Sequence, residues 1–126
     1  MKLIVRAADY AMTDSITDGC LKAIRDGILT DVGLMTNNAD HARRAVEELK
    51  KYPHVSMGQD LNLVSGIPAS NPQFIPSLVD SQGCFISSSA RKKHNLFEIP
   101  YEEILIEMKA QVERFITWTG KKPVYI

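Results

Sequence analysis

Long hydrophobic runs, charge imbalance and a cysteine framework are all missing from this chain. No apolar stretch reaches the ~20 residues that a bilayer-spanning helix needs, so a span of that kind is excluded. The N-terminus lacks the basic, apolar and small-residue order of a secretory leader, which makes the cytoplasm the expected compartment. Only two cysteines occur, Cys20 in a helical pattern and Cys84 beside Gly83 in a loop. They suggest neither a disulfide framework nor a zinc motif, and free thiols are expected. Fifteen Lys and Arg are matched by fifteen Asp and Glu, and with no basic stripe this balance argues against a nucleic-acid partner. The one basic cluster, Arg91-Lys92-Lys93-His94, reads equally as a solvated loop or an anion site. What is present is a chain of 126 residues, 44% hydrophobic, large enough to bury one core and form one domain over 1–126.

Helix and strand patterns alternate along it. Lys2 to Arg6 forms an apolar strand that drives into Ala7-Ala8-Asp9-Tyr10-Ala11. Thr13 or Asp14 then caps a helix with Ile16, Cys20, Ala23 and Ile24 on one face and Gly27 as its stop. Asp31 to Thr36 is a short strand, Asp40 to Lys51 a helix with Ala42, Val46 and Leu49 inward, and Val55 to Leu63 a third strand. Gly66, Pro68, Pro72, Pro76 and Gly83 mark residues 64–100 as a long excursion. Pro100 opens a helix over Tyr101 to Thr119, with Ile104, Met108, Val112 and Phe115 as its predicted buried face and Gly120 as its end. Val124 begins a last strand. This order requires parallel neighbours joined by right-handed crossovers and predicts an α/β fold, part of a (β/α) barrel.

Ligands and metals collect at the carboxyl ends of such strands, so position alone makes Asp9 and Asp60 candidate site residues. Tyr10, Asn37 and Asn62 fall at the same ends, where an aromatic ring and amides suit a hydroxyl-rich ligand. The structural alternative for Asp9, Asn37 and Asn62 is satisfaction of turn backbone. His41 and His54 read as surface or capping residues.

The opening strand and its Ala-Ala-Asp-Tyr-Ala turn resemble the Ala-Asp-Asp-Phe/Tyr-Gly turn of the YdjC-like (ChbG/HpnK) family of carbohydrate deacetylases. Gly33-Leu34-Met35-Thr36-Asn37, Met57-Gly58-Gln59-Asp60-Leu61-Asn62-Leu63, Gly66-x-Pro68, Ile75-Pro76-Ser77-Leu78 with Gly83-x-Phe85, and Glu107-x-x-x-Gln111 with Gly120-x-x-Pro123 continue the resemblance in order. It implies the N-terminal portion of a seven-stranded (β/α) barrel that removes acetyl groups from N-acetylated sugars with a divalent metal, magnesium or zinc. The metal would polarise the amide carbonyl and acidify a water, while a carboxylate takes the water's proton. By the same resemblance Asp9 and Asp60 are the metal ligands, Ala8 stands where the family has the base, and Asp60 replaces a ligating histidine. A further histidine of the family lies beyond Ile126. The resemblance therefore predicts a deacetylase-type chain that is inactive or impaired, and weak metal binding at most.

Two other classes are open at this point. A non-catalytic sugar-binding or protein-interaction domain would use the same strand ends. A receiver-like signalling domain is echoed by Asp9, Asp60 and Lys122-Pro123, but Lys122 precedes a strand where a receiver's lysine follows one. The end of the chain on Val124-Tyr125-Ile126 predicts an unpaired sheet edge and an uncovered apolar inner face, and from these a homo-oligomer.

Overall fold

Sheet pairing begins at Arg6, four residues later than the apolar run from Lys2 suggests. A computed structural model describes residues 3–93 and 98–126, and in it strand β1 spans Arg6–Tyr10. Leu3 and Ile4 are exposed, because the neighbouring strand starts only at Asp31, opposite Arg6. Lys2 lies outside the described residues, as does His94 of the basic cluster. Helix α1 (Asp14–Asp26) follows, then β2 (Asp31–Leu34), α2 (Ala39–Leu49) and β3 (Ser56–Gln59). The three strands are parallel in the order β1-β2-β3, joined by the two helices as crossovers. A short 3-10 turn (Pro72–Phe74), helix α3 (Ser88–Lys93) and helix α4 (Tyr101–Thr119) complete the elements.

The caps are those the sequence marks. Thr13 Oγ1 accepts the N–H of Ile16 at 3.2 Å and starts α1. Gly120, at φ +69°, ends α4 in the left-handed conformation, its N–H donated to Ile116 O at 2.9 Å. The third strand is shorter than expected because Asn62 Oδ1 accepts the N–H groups of Val64 and Ser65 and turns the chain. The predicted fourth strand does not form a ladder, although Tyr125 O accepts the N–H of Gln59 at 3.0 Å.

One face of the sheet is apolar and covered by helices. Val32 and Leu34 pack with Cys20, Ile24, Ala42, Val46, Leu49 and Phe115. Of the predicted α1 positions Ala23 is exposed, and Thr17 takes the buried place, donating its hydroxyl to Thr13 O. The other face is not the apolar surface expected, since strand alternation hands it Arg6, Asp31, Gly33, Ser56 and Gly58. That removes an apolar inner face as a reason for self-association.

Helix α4 corrects a second expectation. Its fully buried stripe is Glu107, Gln111 and Phe115, while Ile104, Met108 and Val112 are half-buried. Glu107 accepts the N–H groups of Ala69 and Ser70, each at 2.8 Å, and the Ser70 hydroxyl at 2.6 Å. Gln111 brackets Asn62, accepting its N–H at 3.0 Å and donating to its carbonyl at 2.6 Å. The excursion needs these acceptors because it has no sheet to join. It carries its own small core of Ile75, Leu78 and Phe85. Arg91, expected as solvated or anion-binding, is buried and donates to the carbonyls of Ser77, Leu78 and Ile86.

Candidate functional site

The carboxyl ends of β1 and β3 bring Asp9 and Asp60 together. Pairing in β1 slips between Ala7 and Tyr10, so one extra residue bulges at Ala8-Asp9. The bulge places Asp9 at φ +58° and Ala11 at φ +75°, both left-handed. Ala11 stands where the resembling family turn has glycine, and this turn does use the positive φ that glycine adopts without steric cost. With the backbone bent, the Asp9 N–H is donated to Asp60 Oδ2 at 2.9 Å, and Asp9 itself is exposed.

Asp60 is committed on its other oxygen too. The Arg6 guanidinium donates from Nη2 to Asp60 Oδ1, lies with its Nε 3.7 Å from Asp31 Oδ2, and stacks on the Tyr125 ring at 4.1 Å. Asp31 is almost fully buried, and it also accepts the hydroxyls of Ser56 and of Tyr125, the latter at 2.5 Å. Burial first, then this bond to the Asp31 carboxylate, pushes the Tyr125 phenol well above its usual range. Two glycines make the arrangement possible. A Cβ on Gly33 would lie 2.1 Å from Asp60 Oδ2, and one on Gly58 would lie 2.1 Å from the Tyr125 ring.

The other expected residues are used differently. Tyr10 is fully buried in the core, its hydroxyl donated to Ala45 O at 2.9 Å, and burial holds its phenol protonated. It does not reach the strand-end mouth. Asn62 spends its side chain on the turn, with Nδ2 donating to Ser65 O. Asn37 donates to the carbonyls of Ser65 and Ile67, and its Oδ1 is buried without a partner. It also lines a cavity of about 230 Å³ with Met12, Thr13, Met35, Ser65 and Gly66. Arg6 is the residue that sequence reasoning missed. Its only signal was a cation inside an apolar strand.

The donor set does not fit a divalent metal. Among the described residues no group of three or more His, Cys, Asp or Glu side chains comes together to hold one. A positive charge already sits against Asp60. The Arg6 guanidinium is hydrogen-bonded to Asp60 Oδ1, so a cation could take that oxygen only by displacing the guanidinium.

Comparison with known proteins decides the lineage of this arrangement. The model of the YdjC-like protein family matches residues 2–126. The chain belongs to the YdjC-like family. A carbohydrate deacetylase of Brevibacillus brevis is 36% identical over the whole chain, which covers 48% of that protein. A chitooligosaccharide deacetylase of Proteus mirabilis is 30% identical over 98% of the chain and 47% of its own length. The crystal structure of a candidate cellobiose-phosphate cleavage protein of Enterococcus faecalis superposes with a TM-score of 0.82 at 26% identity, over 95% of this chain and 45% of that one. The chain thus spans about half the length of the YdjC-like relatives it matches. The resemblance drawn from the motifs is borne out, and membership replaces the receiver-like alternative.

Proposed function

We propose that this chain forms the opening part of a (β/α) barrel of the seven-stranded deacetylase type, directed at N-acetylated sugars, with hydrolysis impaired by its own residues. The observation that carries this reading is the replacement of acid-base machinery by an ion pair. Ala8 offers a methyl group where the family has its base, and the neighbouring Asp60 carboxylate is spent on Arg6 and the Asp9 N–H. General-base assistance contributes on the order of a hundred- to ten-thousand-fold, and the Asp60 carboxylate cannot supply it while it is paired with Arg6. In the family a divalent metal supplies carbonyl polarisation and an acidified water. Among the described residues Asp9 and Asp60 are the matching ligands, and as a pair held by Arg6 they do not fit it.

Acetate release from chitobiose, with magnesium or zinc added, is the test. The expected result is no turnover above background. Robust turnover abolished by Asp9→Ala would overturn the proposal. Sugar recognition without hydrolysis is the second reading, favoured by the buried, unpartnered Asn37 Oδ1 beside its cavity. Saturation-transfer NMR with chitobiose tests it, and transfer no stronger than to cellobiose would sink it.

A further inference from the structure

We propose that Arg6 is the resident cation of this centre and closes it to divalent metal. The inference rests on reading the Asp9–Asp60 strand ends as a deacetylase-type centre, and it concerns what those residues bind rather than what they catalyse. Three contacts fix the guanidinium: the Asp60 carboxylate, the Asp31 carboxylate and the face of Tyr125. Asp31 makes the cation hard to displace. Its side chain is 3% exposed, so swinging Arg6 away would leave a buried carboxylate with hydroxyl donors alone. A metal arriving at Asp60 would therefore have to overcome both the repulsion of Arg6 and the cost of uncovering Asp31.

The sequence is consistent on this point in four separate places. An aspartate stands where the family's histidine is implied, and a carboxylate pairs with a guanidinium as an imidazole does not. Gly33 leaves room for that carboxylate to fold back over the sheet, and Gly58 leaves room for Tyr125 to cover the guanidinium. The planar fork of arginine meets two carboxylates and an aromatic face at once, a combination that a lysine ammonium does not match.

Manganese titration of the whole chain, followed through its backbone amide NMR signals, tests the proposal directly. In the wild type the amides of Asp9, Gly33 and Asp60 are expected to keep their intensity at millimolar manganese. Arg6→Gln should lose those signals selectively, and Arg6→Gln with Asp60→Asn should recover them. Selective loss in the wild type that Asp60→Asn prevents would overturn the proposal, as would a folded Arg6→Gln chain that manganese leaves untouched. Should Arg6→Gln fail to fold, the wild-type titration, repeated with zinc by calorimetry, decides alone. Acetate release plays no part in this readout, so bound metal in the wild type would refute the closed centre without touching the sugar assignment. Metal-free acetate release would instead refute the impaired hydrolysis and leave the closed centre standing.

Discussion

The Asp60 carboxylate lies directly over Gly33, where a Cβ would fall 2.1 Å from its Oδ2. Alanine at this position cannot share the space, and Asp60 is held from moving by Arg6 and by the Asp9 N–H. Gly33→Ala is expected to destabilise the chain by about 1–3 kcal/mol, the usual cost of overpacking. With Asp60→Ala already in place the same substitution should cost far less, because the clashing group is gone. Urea unfolding of the two single variants and the double variant measures this. Additive effects would show that Asp60 does not occupy the space over Gly33.

Glu107 carries the attachment of the excursion to α4. Replacing it with glutamine leaves the shape but puts an NH₂ group against donors from Ala69 or Ser70, stranding buried N–H groups. Glu107→Gln should therefore cost about 1–3 kcal/mol in urea unfolding. Met108→Ala, one residue along but half-buried on the groove with Leu61 and Ile126, should cost less than the 2–5 kcal/mol of a core position. The opposite ranking would return α4 to the apolar face that its sequence suggests.

That reversal shows what the chain's pattern reveals and what it hides. Helix α4 was legible to the residue because Pro100 and Gly120 are local signals that act on backbone conformation alone. The parallel order was legible because it follows from the alternation of elements, and so was the meeting of Asp9 and Asp60 at strand ends, although their strands are not neighbours and the two meet across Gly33 of β2. Glu107 and Gln111 were not, because a carboxylate and an amide on a helix read as solvated until the loop's unpaired N–H groups are known. A spacing of four from Glu107 to Gln111 to Phe115 was the available clue. Arg6 was hidden for a related reason: its partners Asp31, Asp60 and Tyr125 are distant in sequence and joined only by the register of the sheet. Tyr10 was misplaced because a bulge of one residue, unmarked by glycine or proline, sends its ring into the core.

Acid should weaken the tie between α1 and α2. Arg44, and then His41, hydrogen-bond the Asp14 carboxylate and hold it below its ordinary value of 3.8. A carboxyl depressed by folding binds its proton more readily in the unfolded chain, so its contribution is complete above pH 3.8 and lost as the pH falls through the folded value. Asp14 is exposed, so salt should move it back toward 3.8. Carboxyl-carbon NMR titration reads this directly, and Asp14→Asn should flatten that part of the acid limb. A midpoint at or above 3.8 in low salt would refute the assigned ion pair.

Ala11 offers the sharpest test of the turn, because two opposed effects should nearly cancel there. It sits at φ +75° with its methyl fully buried. The left-handed conformation costs a residue with a Cβ roughly 1–2 kcal/mol, which Ala11→Gly would recover. Against that stand the lost methyl burial of about 0.8 kcal/mol and the extra chain entropy of glycine, about 0.5–1 kcal/mol. The variant is expected within about 0.5 kcal/mol of wild type on this arithmetic. Ala42 provides the control, equally buried but inside α2 at ordinary helical geometry. Ala42→Gly recovers no strain, and loses about 1 kcal/mol of helix propensity besides its methyl, for about 2 kcal/mol in all. Denaturant unfolding of both variants side by side gives the comparison. An Ala11→Gly chain as damaged as Ala42→Gly would mean that the left-handed backbone at Ala11 stores no strain.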